Sequence, residues 1–474
     1  MKPDESPTRT LEVAPAGPVS APAAAAALEG QSTERRAARH AQLKWLVAGV
    51  MAGLLIFAAV RVWFVQGLFG GVRIEGPSMA PGFLGAHYRL ICEDCQFPFA
   101  CDADDPPASR EAVCPNCGYL HNALDESSLR PGQTVLIDRW PPVASGTVRN
   151  RIVAAQDPLD PQGLVIKRIA ALPGERLEIR AGDLHVNGRI LRKTFGQLRQ
   201  VRLLVHDHQY QPQTRDLPER WERLAAGHAR WQPIAGGYRH SAAPPEAGFA
   251  WLRYDHWRCT AGPTPRAKRS PILDNDSYNQ APSRELNEVR DVQLSLRLLA
   301  HPGGQIALAA LDGERRFEVI FDFDAIELTL TDDGREVLRQ PLPLLLIGRS
   351  QIDFGLCDRQ VLLAIDGRTV IAQSYESPPR AATPPTELPY PLAIGVRGGS
   401  AEVTELRIWR DVYYLDPVGL PRPWRAERTL PDWHLALLGD NTPVSIDSRQ
   451  WPAVGVPVGS IRGAVLHPFW RRPE

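Results

Sequence analysis

The chain has 474 residues, enough at ~100–200 residues per domain for two to four folded units. Its 54 Lys+Arg balance 54 Asp+Glu, which excludes a nucleic-acid binder working through a global basic field. Hydrophobic residues at 43% exclude a wholly disordered chain, and 44 prolines with 38 glycines favour a turn-rich, mainly β protein.

Residues 1–42 are rich in Ala, Pro, Ser and Thr and bury too little apolar area to order themselves, so a disordered tail is expected. Arg35, Arg36, Arg39 and Lys44 then precede an apolar run from Trp45 to Val65 whose one charge, Arg61, lies near its end. That length fits a transmembrane helix over residues 43–66, and the polar stretch ahead is too long for a signal peptide. The preceding cations place the N-terminus in the cytoplasm, so the expectation is a single-pass cell-membrane protein with its remaining chain extracytoplasmic.

Beyond the helix the pattern turns to strands. Thr134–Asp138 and Leu164–Ile169 are short apolar runs, and residues 196–416 hold many alternating segments such as Val292–Leu298, Phe317–Phe321 and Val403–Ile408. Asp312-Gly313, Asp333-Gly334 and Asp366-Gly367 punctuate them with the positive φ angles that tight hairpins need. This block predicts an inserted β-sandwich whose two ends lie close together, so that a short linker in its place would preserve the rest. Its end, Ala401–Tyr414, resembles the closing strands of laminin G-like, concanavalin-like jelly rolls, which implies a glycan or protein ligand. The acidic Asp274-Asn275-Asp276 reads as a solvated turn in preference to a calcium site.

Cys92-Glu93-Asp94-Cys95 and Cys114-Pro115-Asn116-Cys117 are separated by 18 residues, the spacing of two knuckles converging on one tetrahedral ion. A structural zinc on Cys92, Cys95, Cys114 and Cys117, in a ribbon over residues 90–119, is expected; two disulfides are the alternative outside the cytoplasm. Cys101 is given no role, and His87 and His121 lie in no triad-like motif and are expected on the surface.

Three segments carry the chemistry. Glu75-Gly76-Pro77-Ser78-Met79-Ala80-Pro81, Lys167-Arg168 through Pro173-Gly174-Glu175, and Gly439-Asp440-Asn441 through Ser445-Ile446-Asp447-Ser448-Arg449 together resemble the boxes of bacterial signal peptidase I, in family order behind an N-terminal anchor. The resemblance implies a membrane serine endopeptidase with an all-β catalytic core in three parts, residues 67–89, 120–195 and 433–474, and residues 417–432 as a linker. It implies Ser78 as nucleophile, Lys167 as general base and Ser445 orienting the lysine. Asp447, Arg449, Asp440 and Asn441 become site support, exported preproteins the substrates, membrane lipid a further partner, and no catalytic cofactor or nucleic acid is involved. The chemistry agrees: only a neutral lysine can take a serine's proton, burial lowers a lysine's pKa, and arginine cannot substitute. Lys167 is one of only five lysines in a chain that otherwise uses Arg. The chain departs from the family at Gly76, where some members place a hydroxyl that assists the oxyanion hole, and at Gly82, where a Thr is usual. A membrane-tethered binding protein using this core as a scaffold is the alternative from another class; a self-cleaving Ser–Lys regulator shares the dyad but needs no anchor.

Overall fold

The computed structural model describes residues 42–62, 69–139, 149–214, 217–225, 230–242, 248–260, 266–281, 284–301, 303–343, 348–376 and 390–466. Residues 1–41 of the expected tail, residues 63–66 of the expected membrane helix and residues 467–474 lie outside them, and Gln42, expected in the tail, opens the helix. The chain divides into two units at Leu68 and Phe69. In the first, Gln42–Val62 is one helix of 21 residues with mean hydropathy 2.1, long and apolar enough to cross a membrane.

The second unit is mainly β and is built on antiparallel sheets. Seven strands form the sheet that carries the three boxes, in the order Phe69–Arg73, Thr134–Asp138, Ile461–Leu466, Ile152–Gln156, Leu164–Ala171, His434–Leu438, Val456–Pro457. Leu164–Ala171 is an interior strand, with Lys167 opposite Val153 and Arg168 opposite both Ile152 and Leu438. It is buried from Ile166 to Ala171, Lys167 and Arg168 included. Leu177–Arg180 and Asp183–Val186 start a four-stranded satellite sheet that Trp424–Arg425 joins, so part of the expected linker is a strand.

Residues 203–410 form two large sheets sharing one core, with Leu294, Phe354 and Val403 from one meeting Leu308, Phe317 and Ile394 from the other. Two of the three Asp-Gly turns form as expected, with positive φ at Asp333, Gly334, Asp366 and Gly367; at the third only Gly313 does so, because Asp312 pairs with Arg315 and the turn is Gly313-Glu314. The first strand, Leu203–Asp207, pairs with the last, Ala401–Arg410, so the chain enters and leaves the sandwich at one place. A short helix, Phe195–Val201, opens the insertion where only strands were expected. Thr194 and Gln197 close its N-terminus with a reciprocal capping box.

The segment expected to form a ribbon lies between Ser78 and Thr134. Strands His87–Ile91 and Pro98–Asp102 flank the first knuckle, and Glu111–Ala112 and Asn122–Ala123 flank the second. The two knuckles repeat one geometry: Gln96 N–H donates to Cys92 O and Gly118 N–H to Cys114 O, both 2.9 Å, with positive φ at Gln96 and Gly118.

Candidate active site

The loop after strand Phe69–Arg73 presents Ser78, half-buried, while its neighbours Met79 and Phe83 are 1% exposed in a cluster with Val135, Ile137 and Ile166. Burying two such side chains stabilises the loop by ~1.5–3 kcal/mol each, enough to hold a serine at a sheet's end. Ala80 N–H closes back on Pro77 O at 2.9 Å. Among the described residues, no protein acceptor takes the Ser78 N–H. That leaves it available to a substrate oxygen.

Lys167, on an interior strand of the sheet, is 3% exposed. Its Nζ donates to Ser445 Oγ at 3.2 Å, and Ser445 Oγ donates to Asp447 Oδ2 at 2.7 Å. Arg449 binds the same carboxylate through Nε and Nη2, both 2.8 Å, and further donates to the carbonyls of Leu415, Thr442 and Ser445. Burial pulls the Lys167 pKa down to about 8, against the opposing pull of Asp447 and with the help of Arg449. For Asp447, burial pushes upward, but the hydrogen-bonded Arg449 outweighs it and holds the carboxyl below the usual carboxylate range. The result is a lysine that loses its proton around pH 8, well below the ordinary lysine range, beside a carboxylate held as an anion by its own guanidinium.

The third box also reaches the serine loop. Asn441 N–H donates to Ser78 O at 3.1 Å and Asn441 Nδ2 to Pro77 O at 2.9 Å. A Cβ on Gly439 would stand 2.2 Å from Ser445 Oγ and 2.4 Å from Ser78 O, so only glycine lets the two serines come together there. Asp440 takes a bidentate pair from Arg168 at 2.6 and 2.7 Å, which joins the lysine box to the third. Ser78, Lys167, Ser445, Asp440, Asn441, Asp447 and Arg449 are thus brought together. Among the described residues no hydrogen bond joins the Ser78 hydroxyl to Lys167. Such bonds often form only with substrate in place.

Two features were not foreseen. The Tyr413 carbonyl accepts from Thr442 Oγ1 at 2.9 Å and the Leu415 carbonyl from Arg449 Nη1 at 2.8 Å, so the end of the expected insertion is built into the site. Backbone acceptors leave no trace in residue type. Asn279, inside the insertion, pairs with Asn441, a contact across 162 positions that only the fold reveals. His87 is buried and hydrogen-bonded to Gly85 O, not on the surface, whereas His121 is exposed beside Glu111. Asp274 is buried and held by Arg284 and Asn287, which makes Asp274-Asn275-Asp276 an internally wired loop where a solvated turn was expected.

The four ribbon cysteines are buried and their sulfurs lie within 4.8 Å of one another. Cys92 and Cys117 stand 3.6 Å apart and Cys95 and Cys114 3.7 Å, close to the ~3.8 Å edge of a tetrahedron with ~2.3 Å metal–sulfur bonds and far from a ~2.0 Å disulfide. All seven cysteines are free, and the cluster could hold a metal. Cys101 lies buried in the ribbon's core, where burial pushes its thiol up to about 12.

The family model described as "Signal peptidase, peptidase S26" matches residues 42–228, spanning the helix, Ser78 and Lys167 and stopping short of the third box. No curated protein matches the chain. Among solved structures, a carbohydrate-binding module CBM66 from Bacillus subtilis is 9% identical over 40% of this chain and 94% of its own, with TM-score 0.25. The beta-glucanase of Bacillus licheniformis is 9% identical over 42% and 95%, with TM-score 0.26. The Caenorhabditis elegans galectin LEC-6 is 12% identical over 25% and 83%, with TM-score 0.20.

Proposed function

We propose that the chain is a membrane-anchored signal peptidase that cleaves signal peptides from exported preproteins, with Ser78 as nucleophile and Lys167 as general base. The observation that carries this reading is the desolvated Lys167 amine, hydrogen-bonded to Ser445 within a box whose Gly439 and Asn441 hold the Ser78 loop. The match over residues 42–228 supports the family, and the Gln42–Val62 helix supports an anchor, its N-terminus cytoplasmic by the charge of Arg35 to Lys44.

In this mechanism neutral Lys167 takes the Ser78 proton as Oγ attacks the scissile carbonyl. The oxyanion of the tetrahedral intermediate is met by backbone N–H groups, that of Ser78 first. The lysine then returns the proton to the leaving amine, and an acyl-enzyme on Ser78 remains. Water, deprotonated by Lys167, attacks this ester; the signal peptide leaves with a free carboxylate and Ser78 regains its proton. Ser445 orients the amine, and Asp447 with Arg449 orients Ser445. The anchor would keep this site at the surface in which the substrate's apolar segment is embedded.

Detergent-solubilised protein incubated with a preprotein is expected to release a trimmed product, and Ser78→Ala to release none. Cleavage that survives Ser78→Ala would overturn the reading. Retained binding without trimming by the wild type would favour the tethered binding protein instead. Zinc in the ribbon is read as structural, because four thiolates leave no open position. Elemental analysis should find one zinc per chain; none, with disulfide-linked peptides among these cysteines, would replace it by the oxidised form.

A further inference from the structure

Three consecutive residues of the sandwich insertion, Tyr278, Asn279 and Gln280, each reach beyond the sandwich. The Tyr278 ring is 1% exposed against Ala80 and Leu84 of the serine loop; its hydroxyl donates to Ala86 O at 3.1 Å, and its carbonyl accepts the Asp102 N–H at 2.9 Å. Gln280 engages the ribbon as a strand would, accepting from Val113 N–H at 2.6 Å and donating to Val113 O at 3.0 Å. Asn279 makes a reciprocal amide pair with Asn441, accepting from Asn441 Nδ2 at 2.9 Å and donating to Asn441 Oδ1. The segment has its own footing on the sandwich, since Asp276 accepts the Tyr278 N–H at 2.9 Å and Arg410 donates to Asn275 O at 2.7 Å.

The pair matters because of what else Asn441 does. Its Nδ2 has two hydrogens, one given to Asn279 and the other to Pro77 O, while its own N–H goes to Ser78 O. Both carbonyls belong to the peptide units that flank the serine. Turned about its last torsion, this amide would lose the bond to Pro77 O and set oxygen against oxygen there. The reciprocal pair with Asn279 adds two further bonds to be lost, because flipping either amide alone would set oxygen against oxygen and nitrogen against nitrogen.

We propose that Asn279 is a positioning residue for the nucleophile: it locks the Asn441 amide, which in turn fixes the Ser78 peptide relative to Lys167. The inference rests on the Ser–Lys reading and extends it, since it makes the inserted sandwich a component of the catalytic centre. None of the three boxes contains the residue.

The test compares full-length wild type, Asn279→Ala, Asn279→Asp, Asn441→Ala and the Asn279→Ala/Asn441→Ala double variant on one preprotein. Asn279→Asp keeps the acceptor but loses the donor and sets a carboxylate against Asn441 Oδ1. Both single changes at 279 should lower kcat by about ten-fold or more with KM within about two-fold, because a displaced nucleophile costs rate and not binding. The kinetic pKa, thermal midpoint and metal content should stay at wild-type values. The double variant should be no slower than Asn441→Ala alone, as expected when one residue acts through the other. Wild-type kcat in both 279 variants, effects that multiply in the double variant, or a loss that tracks the folded fraction would each overturn the proposal. The underlying reading has its own control: if wild type does not cleave, or Ser78→Ala does, that reading fails. The clamp is then judged by hydrogen exchange at the Ala80 and Asn441 amides, which Asn279→Ala should accelerate; unchanged exchange overturns it.

Discussion

Two lysines are buried in this molecule to almost the same degree, Lys167 at 3% exposure and Lys193 at 7%, and their surroundings drive them in opposite directions. Lys167 donates to a neutral hydroxyl, and its nearest carboxylate, Asp447, already carries a bidentate arginine. Burial therefore prevails, and the amine falls to about 8. Lys193 stands 2.7 Å from Asp358 and 2.7 Å from Asp411, and its own N–H donates to Asp358 as well. Burial alone would lower it too, but these carboxylates outweigh burial and raise it well above the ordinary lysine value. Asp291, Cys357, Asp358 and Asp411 are close enough to hold a metal ion, but the Lys193 ammonium already supplies the cation there. Burial makes a lysine reactive only where no uncommitted anion is left beside it. Lys193 instead ties the entrance of the insertion to its Asp358 turn and to Asp411 at its exit.

The same substitution at the two sites should break opposite properties. Lys167→Met, and equally Lys167→Arg, should lower cleavage by more than ~10³-fold, since an alkyl chain accepts no proton and a guanidinium gives none up. Lys167→Met, relieved of the buried ammonium, should be at least as stable as wild type below about pH 8. Full activity in Lys167→Arg would remove the general-base role. Lys193→Met leaves buried carboxylates without their cation and should destabilise the fold by ~3–5 kcal/mol, read by denaturant unfolding. The fraction that remains folded should still cleave. Unchanged stability would mean that the ion pair does not hold the fold together.

A third change strikes only the Lys167 side. Gly439→Ala places a methyl 2.2 Å from Ser445 Oγ and 2.4 Å from Ser78 O, far inside any real contact. Separating the two serines by even an ångström should cost about 100-fold in kcat, with Lys193 and the sandwich undisturbed. A variant with normal kcat would show that Ser78 and Ser445 need not be this close.

Lys167 was legible because it lies in an apolar run, between boxes of recognisable spacing, in a chain that almost always chooses arginine. The cysteine pairs and Asp-Gly hairpins were legible for the same reason: local spacing determines their geometry. Lys193 was not, since its partners come from the Asp358 turn and from Asp411 and meet only when the sandwich docks. Asn279 and the Tyr413 and Leu415 carbonyls were hidden in the same way. Their contacts change what is predicted for one untested deletion: replacing residues 196–416 by a short linker removes Asn279, Tyr413 and Leu415 together. The product should lose cleavage even though the insertion's ends are neighbours. Wild-type rates from such a deletion would show that the sandwich is dispensable after all.

The smallest effect is the one that sharpens the comparison most. A general base works in its neutral form, so kcat/KM should fall about ten-fold per pH unit below a midpoint near 8 and level off above it. A flat profile from neutral to alkaline pH would leave Lys167 without its role. Stability should follow the same group. Unfolded, Lys167 keeps its proton to ~10.4, so between about 8 and ~10.4 the unfolded chain binds more protons than the folded one at this position. The cost of burying the ammonium is therefore fully present below about 8 and is relieved as pH rises through that window, by at most ~1.4 kcal/mol per unit. Because other groups titrate there too, the measurement is the difference between wild type and Lys167→Met, which is expected to shift in favour of wild type as pH increases. Lys193 should contribute with the opposite sign, since its folded pKa is raised: its stabilisation is present below the unfolded value and is lost only above it. A wild-type minus Lys193→Met difference that also grew across the window would show that the two lysines are not electrostatic opposites.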